Sequence, residues 1–187
     1  DRVAAMRCLP KGIDQRSACR HPDWTGPDDL EIKINELREI TNWEKPIYVK
    51  VGGSRPYYDT ALAIKAGADV VVLDGMQGGT AATQEVFIEH VGQPTLACIR
   101  PAVRALQELN MHRKVQLIVS GGIRNGADVA KAPAPGGDAV SLGTAALASP
   151  AEGKEATAFR IYSFAQGGVP ADEDGDKSKE TKGKIVA

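Results

Sequence analysis

Between positions 115 and 147 the chain reads VQLIVSGGIRNGADVAKAPAPGGDAVSLGTAAL. A short β-rich apolar run, 115–119, stops at Ser120-Gly121-Gly122. A second, 139–142, stops at Gly143-Thr144 ahead of the helix-prone Ala145-Ala146-Leu147. Backbone N–H groups at a helix start lack an intrahelical partner, and the helix dipole favours an anion beside them. Two successive parallel strands ending this way aim several N–H groups at one point. Ser120, Gly121, Gly122, Gly143 and Thr144 are therefore candidates for a phosphate cradle, of the kind found after the last two strands of a (β/α)₈ barrel. The same glycines also serve if they only make tight strand-to-helix turns.

Lys50 interrupts the apolar run Ile47-Tyr48-Val49-Lys50-Val51 near its C-terminal end, where a barrel carries its site. A lysine there is costly to bury unless it meets an anion or a carboxylate. The alternative is an outward lysine that snorkels to water. Asp74 ends the next apolar run, 69–74, and can orient a polar ligand group or cap the turn that follows. That turn, Gly75-Met76-Gln77-Gly78-Gly79-Thr80, has three glycines in five residues, which lets backbone approach a flat ligand closely. His21, in Cys19-Arg20-His21-Pro22-Asp23-Trp24, is either a loop histidine capping backbone groups or a ligand contact, and too few ligands lie near it for a metal site.

Positioning these groups takes alternating strands and helices. Thr25-Gly26-Pro27-Asp28-Asp29 opens a helix with acids in its first turn, and Leu30, Ile32, Ile34, Leu37 and Ile40 continue it as a mostly helical stripe. Residues 57–66 are a helix ended by Gly67, residues 83–90 another, residues 95–99 a strand and residues 101–109 a further helix. Strand–helix units thus start at Ile47, Val70, Thr95, Val115 and Ala139, with no hairpin signal between them, which is the pattern of a parallel α/β fold. Five strands do not close a barrel, so the remainder is expected from chain upstream. Pro133 and Pro135 in KAPAPGG break a helix, which must therefore end early.

A length of 187 residues allows one domain with a real core. A formal charge of −1 argues against a nucleic-acid partner, and no apolar run is long enough to span a membrane. Cys8, Cys19 and Cys98 form neither a disulfide framework nor a metal pattern, so reduced thiols and a cytoplasmic setting are expected. The start, Asp1-Arg2-Val3, is no signal peptide and has no initiator Met, which suggests a processed or partial chain. Residues 1–29 read as irregular. Residues 1–147 read as one partial barrel domain and 148–187 as an irregular tail rich in Gly, Asp, Glu and Lys.

RHPDWTGPDDLEIKINELRE, YVKVGGSRPYYDTALAIKAGADVVVLDGMQGGTAAT and VQLIVSGGIRNGADVAKA resemble the FMN-binding domain of the glutamate synthase family, and most of all the stand-alone type found as a subunit of N-methylglutamate synthase. The likeness covers residues 2–132 and, more loosely, 136–147. It implies the C-terminal part of a (β/α)₈ TIM barrel with parallel strands and FMN across its C-terminal face. By resemblance, Ser120, Gly121, Gly122, Gly143 and Thr144 would hold the phosphate. Gly78, Gly79 and Thr80 would border the ring, and Lys50 would stand beside the pyrimidine edge as the catalytic cation. Arg20 and His21 fall near the flavin and substrate. The implied reaction reduces an imine of 2-oxoglutarate and ammonia or methylamine to glutamate or N-methylglutamate, with further subunits in a hetero-oligomer.

The family's glutamate synthases carry iron–sulfur cysteines after Gly-Thr-Ala-Ala-Leu, and this chain has no cysteine after Cys98, so no cluster is expected. KAPAPGG and the residues beyond 148 fit the family poorly. Spacing alone also admits a flavin-free isomerase or synthase barrel with a phosphorylated substrate, or a non-catalytic scaffold.

Overall fold

The computed structural model of the chain describes residues 1–6, 8–13, 18, 21–79 and 83–147. The elements are α1 (Arg2–Met6), α2 (Pro27–Ile40), β1 (Tyr48–Gly52), α3 (Pro56–Lys65), β2 (Val70–Asp74), α4 (Glu85–His90), α5 (Thr95–Glu108), β3 (Gln116–Ser120), α6 (Gly126–Lys131), β4 (Ala139–Ser141) and α7 (Thr144–Leu147). The four strands form one sheet in the order β1-β2-β3-β4, every pair parallel. A doubly wound sheet reverses its order at a switch point. This one winds in a single direction, which is consistent with part of a (β/α)₈ barrel.

Alternation along the strands explains the two faces. Val49, Val71, Leu73, Leu117 and Val119 point to one side and pack with Ala63 and Ile64 of α3 and with Cys98, Ile99, Ala102, Val103 and Leu106 of α5 in one buried cluster. Leu30 and Ile34 of α2 join the same cluster. At about 25 cal/mol per Å² of apolar area, this side supplies most of the fold's stability. The opposite side carries Tyr48, Lys50, Val72, Asp74, Gln116, Ile118 and Ser120, all at least partly exposed, with Val70 its one buried member among these strand positions.

One expected strand is not there. Residues 95–99 begin the long helix α5, so the sheet has four strands among the described residues rather than five. The apolar residues of this stretch are spaced for a helix: Thr95, Cys98, Ile99, Ala102, Val103 and Leu106 are all buried on one stripe. Pro101 stands inside the helix, and its ring prevents neither the stripe nor the packing against α3. Among the described residues the connection from β2 to β3 thus holds two helices, α4 and α5, and no strand.

Pro133 and Pro135 find their reason here. Helix α6 ends at Lys131, and the chain turns through the prolines, with the Gly136 N–H donating to the Pro133 carbonyl at 2.8 Å. The stretch expected to be irregular, 1–29, ends sooner than that: α2 already begins at Pro27, and among the described residues before it the five-residue α1 is the one helix. The tail beginning at 148 lies outside the described residues.

Candidate functional site

The strands end in register. Gly52 pairs with Asp74, Asp74 with Ser120, and Ser120 with Ser141, so one row crosses the C-terminal edge of the sheet. Lys50 lies two residues before Gly52 and so shares its face. Its ammonium reaches forward to Asp74, with Nζ 2.7 Å from Oδ2. Most of the lysine is in solvent, its side chain 62% exposed against 22% for Asp74. Lys50 therefore neither packs inward nor stands free: it rests on the open face, held by a carboxylate.

The loop after β2 folds over the turn after β3. The Gly75 N–H donates to the Ser120 carbonyl at 3.1 Å. Thr95, nearly buried at the start of α5, clamps both loops. Its N–H donates to Gln77 Oε1 at 2.7 Å, and its hydroxyl oxygen stands 2.8 Å from both Gln77 Oε1 and the Gly121 carbonyl oxygen, with one proton to donate to either. Gly121 has φ +98°, and a Cβ there would meet Asp74 Oδ1 at 2.9 Å and the Gly75 carbonyl at 3.0 Å. A Cβ on Gly122 would meet Gln77 Cβ at 2.6 Å. These two glycines admit the neighbouring loop. Gly79 and Gly143 face open space, and Thr144 is exposed.

The candidate residues are thus gathered at one edge but not at one point. Lys50 and Gly78 meet at Asp74, Ser120 through Gly122 lie beneath the Gly75–Gln77 loop, and Gly143 with Thr144 stand apart at the end of β4. Thr80 and Arg20 lie outside the described residues. His21 caps a loop: its Nδ1 accepts from the Asp23 N–H at 3.2 Å, and its ring tilts against Trp24. Cys98 is a buried free thiol whose burial pushes its pKa up, and Cys8 is free and exposed. Among the described residues no three His, Cys, Asp or Glu side chains gather as metal ligands.

Gln77 and Thr95 were not singled out from sequence. The signal for Thr95 was a polar residue at the head of a helical apolar stripe, directly after Pro94, hidden as long as the stretch read as a strand. No local pattern marks Gln77, whose partner is 18 residues away.

A family profile described as "Conserved region in glutamate synthase" matches residues 1–152. The chain belongs to the glutamate synthase family. A "Glutamate synthase large subunit-like protein" of Rhizobium meliloti (strain 1021) is 87% identical over 147 residues, covering 79% of this chain and 33% of that protein. "Archaeal glutamate synthase [NADPH]" of Methanocaldococcus jannaschii is 40% identical over 146 residues, covering 78% and 29%. The chain spans about a third of the length of these relatives. Among solved structures, a GMP reductase from Trypanosoma brucei overlays 62% of the chain and 25% of its own, with TM-score 0.49 and 26% identity, too loosely to bear on either fold or function. Among the described residues no helix of this glutamate synthase family chain is long and apolar enough to cross a membrane.

Proposed function

We propose that the chain forms the C-terminal part of an FMN-binding barrel in a glutamate-synthase-type enzyme, one that makes glutamate or N-methylglutamate from 2-oxoglutarate and ammonia or methylamine. The observation that carries this reading is Lys50. A cation is held by a carboxylate on the uncovered face of the sheet, at the strand ends, within a family whose relatives are named glutamate synthases.

The residues fit an FMN laid along this edge. Lys50 and Asp74 stand at the β1–β2 end of the row, Gly143 and Thr144 at the β4 end. Three strand spacings separate the two ends, about 14 Å, which suits a ligand with a ring at one end and a phosphate at the other. Lys50 would face the pyrimidine edge, where a positive charge favours the reduced, anionic ring. Gly78, Gly79 and Thr80 would border the ring. The backbone of Ser120, Gly121, Gly122, Gly143 and Thr144 would take the phosphate, with Gly143 and Thr144 the more accessible part of that cradle. When bound and reduced, FMN supplies the hydride that converts the imine into the amino acid. The protein's share is to hold the ring, carry the compensating charge and keep the substrate over it. Further subunits and a cytoplasmic setting belong to the same proposal.

The purified chain is expected to be yellow or to take up FMN, with FMN identified by mass spectrometry of the released cofactor. A chain that remains colourless in excess FMN, yet binds a phosphorylated metabolite, would replace this reading with the flavin-free one.

A further inference from the structure

Asp74 is held in an unusual way. One oxygen, Oδ2, meets Lys50 Nζ at 2.7 Å. The other, Oδ1, is buried and has no hydrogen-bond partner among the described residues. Oδ1 is wedged between two backbones instead: a Cβ on Gly78 would stand 2.3 Å from it, and one on Gly121 2.9 Å. A buried acceptor without a donor costs free energy and calls for a reason. The wedge makes the carboxylate stiff, whereas the lysine that rests on it is a long, exposed chain. Position in this pair is therefore set by Asp74.

We propose that Asp74 is a positioning residue that holds the Lys50 ammonium at the strand ends and offsets its charge, so that a ring bound there feels an ion pair and not a lone cation. The proposal rests on the reading that FMN binds along this edge. It separates the two members of the pair by sign. With Asp74 neutral, the uncompensated Lys50 stabilises the anionic reduced ring. With Lys50 neutral, the uncompensated Asp74 destabilises it.

The experiment measures the midpoint potential of FMN bound to the full chain and to Asp74→Asn and Lys50→Met. Uptake of FMN by the unaltered chain is scored first, and its failure defeats the flavin reading itself. Given uptake, Asp74→Asn is expected to raise the potential and Lys50→Met to lower it. Each shift should correspond to about tenfold in the reduction equilibrium, about 30 mV for a two-electron couple. A merely structural Asp74 gives no such opposed pair. Shifts of the same sign, or an unchanged potential in Asp74→Asn, would overturn the proposal while leaving the flavin site standing. If Asp74→Asn does not retain FMN, Asp74→Ser gives the same neutral charge in a smaller side chain. Loss of FMN from both would make Asp74 a packing residue and overturn the proposal too.

Discussion

Three aspartates sit at the two ends of the same sheet, and they are treated differently. At the N-terminal end, Asp69 precedes β2 and Asp138 precedes β4. Asp69 Oδ2 accepts from the Ile47 N–H at 2.7 Å and from Arg38 at 3.0 Å, while Asp138 Oδ2 accepts from the Leu117 N–H at 2.7 Å. Each also returns its own N–H to the neighbouring strand, to the Ile47 and Leu117 carbonyls. Both carboxylates tie one strand start to the next, and each follows a glycine-containing turn, Gly67-Ala68 in one case and Gly136-Gly137 in the other. At the C-terminal end, Asp74 has one oxygen on a long, exposed lysine and the other without a donor among the described residues. In barrels the bottom face serves stability and the top face serves chemistry. The contrast follows that division in the bonding of a single residue type: the two bonded carboxylates join strand starts, and the third lies at the candidate site.

The contrast breaks most visibly at Gly121. Gly121→Val puts a branched side chain at φ +98° and into Asp74 Oδ1 and the Gly75 carbonyl. Strain and overlap together should destabilise the fold by about 2 kcal/mol or more, and FMN uptake should vanish. Denaturant unfolding and flavin absorbance read the two effects; retention of FMN at normal affinity would show that the top end does not need this close approach.

Lys50→Ala tests the top end without disturbing the fold. The lysine is mostly solvated, so stability should change by less than about 1 kcal/mol. The rate of flavin reduction should fall by about tenfold or more, close to 1.4 kcal/mol of lost stabilisation. Stopped-flow reduction measures it, and an unchanged rate with intact FMN binding would remove the role given to Lys50.

Asp138→Ala reverses that signature. It strands the Leu117 N–H at the start of β3, which should cost about 1 kcal/mol by denaturant unfolding, with FMN affinity unaltered. A loss of FMN affinity without a loss of stability would erase the distinction between the two ends.

How much of this could be read from the chain depends on the range of the contacts. Glycine stops after apolar runs marked β1, β2, β3 and β4, since a strand and its turn are written in consecutive residues. The Asn125 cap of α6 is equally local, its side chain accepting from the Asp128 N–H three residues on. Residues 95–99 were misread because five apolar and β-tolerant residues in a row fit either period. The helical stripe becomes visible only when it is followed through Leu106. The Lys50–Asp74 pair needs the parallel register of β1 and β2, so sequence could supply each residue's two options but not their meeting. The Gln77–Thr95–Gly121 clamp ties two loops to the head of α5 over 18 and 26 residues of sequence, so Thr95 carried a local signal but the meeting did not.

The smallest effect sharpens the bottom end through acid. Burial alone would raise the Asp69 carboxyl, but hydrogen bonds from the Arg38 guanidinium and the Ile47 N–H outweigh it and hold the pKa below the usual aspartate value. A carboxylate depressed in the folded state contributes stability above its unfolded pKa, and that contribution is lost as pH falls through the folded value, so the window lies below about 4. Asp69 is 41% exposed, so solvent screening keeps the contribution small. Asp69→Asn should therefore be slightly less stable than the unaltered chain at neutral pH, and the difference should narrow as the solution is acidified below about 4. Denaturant midpoints taken for both proteins across that range measure it. A gap that widens in acid would mean that Asp69 is no anchor for β1, and that the two ends differ less than their hydrogen bonds indicate.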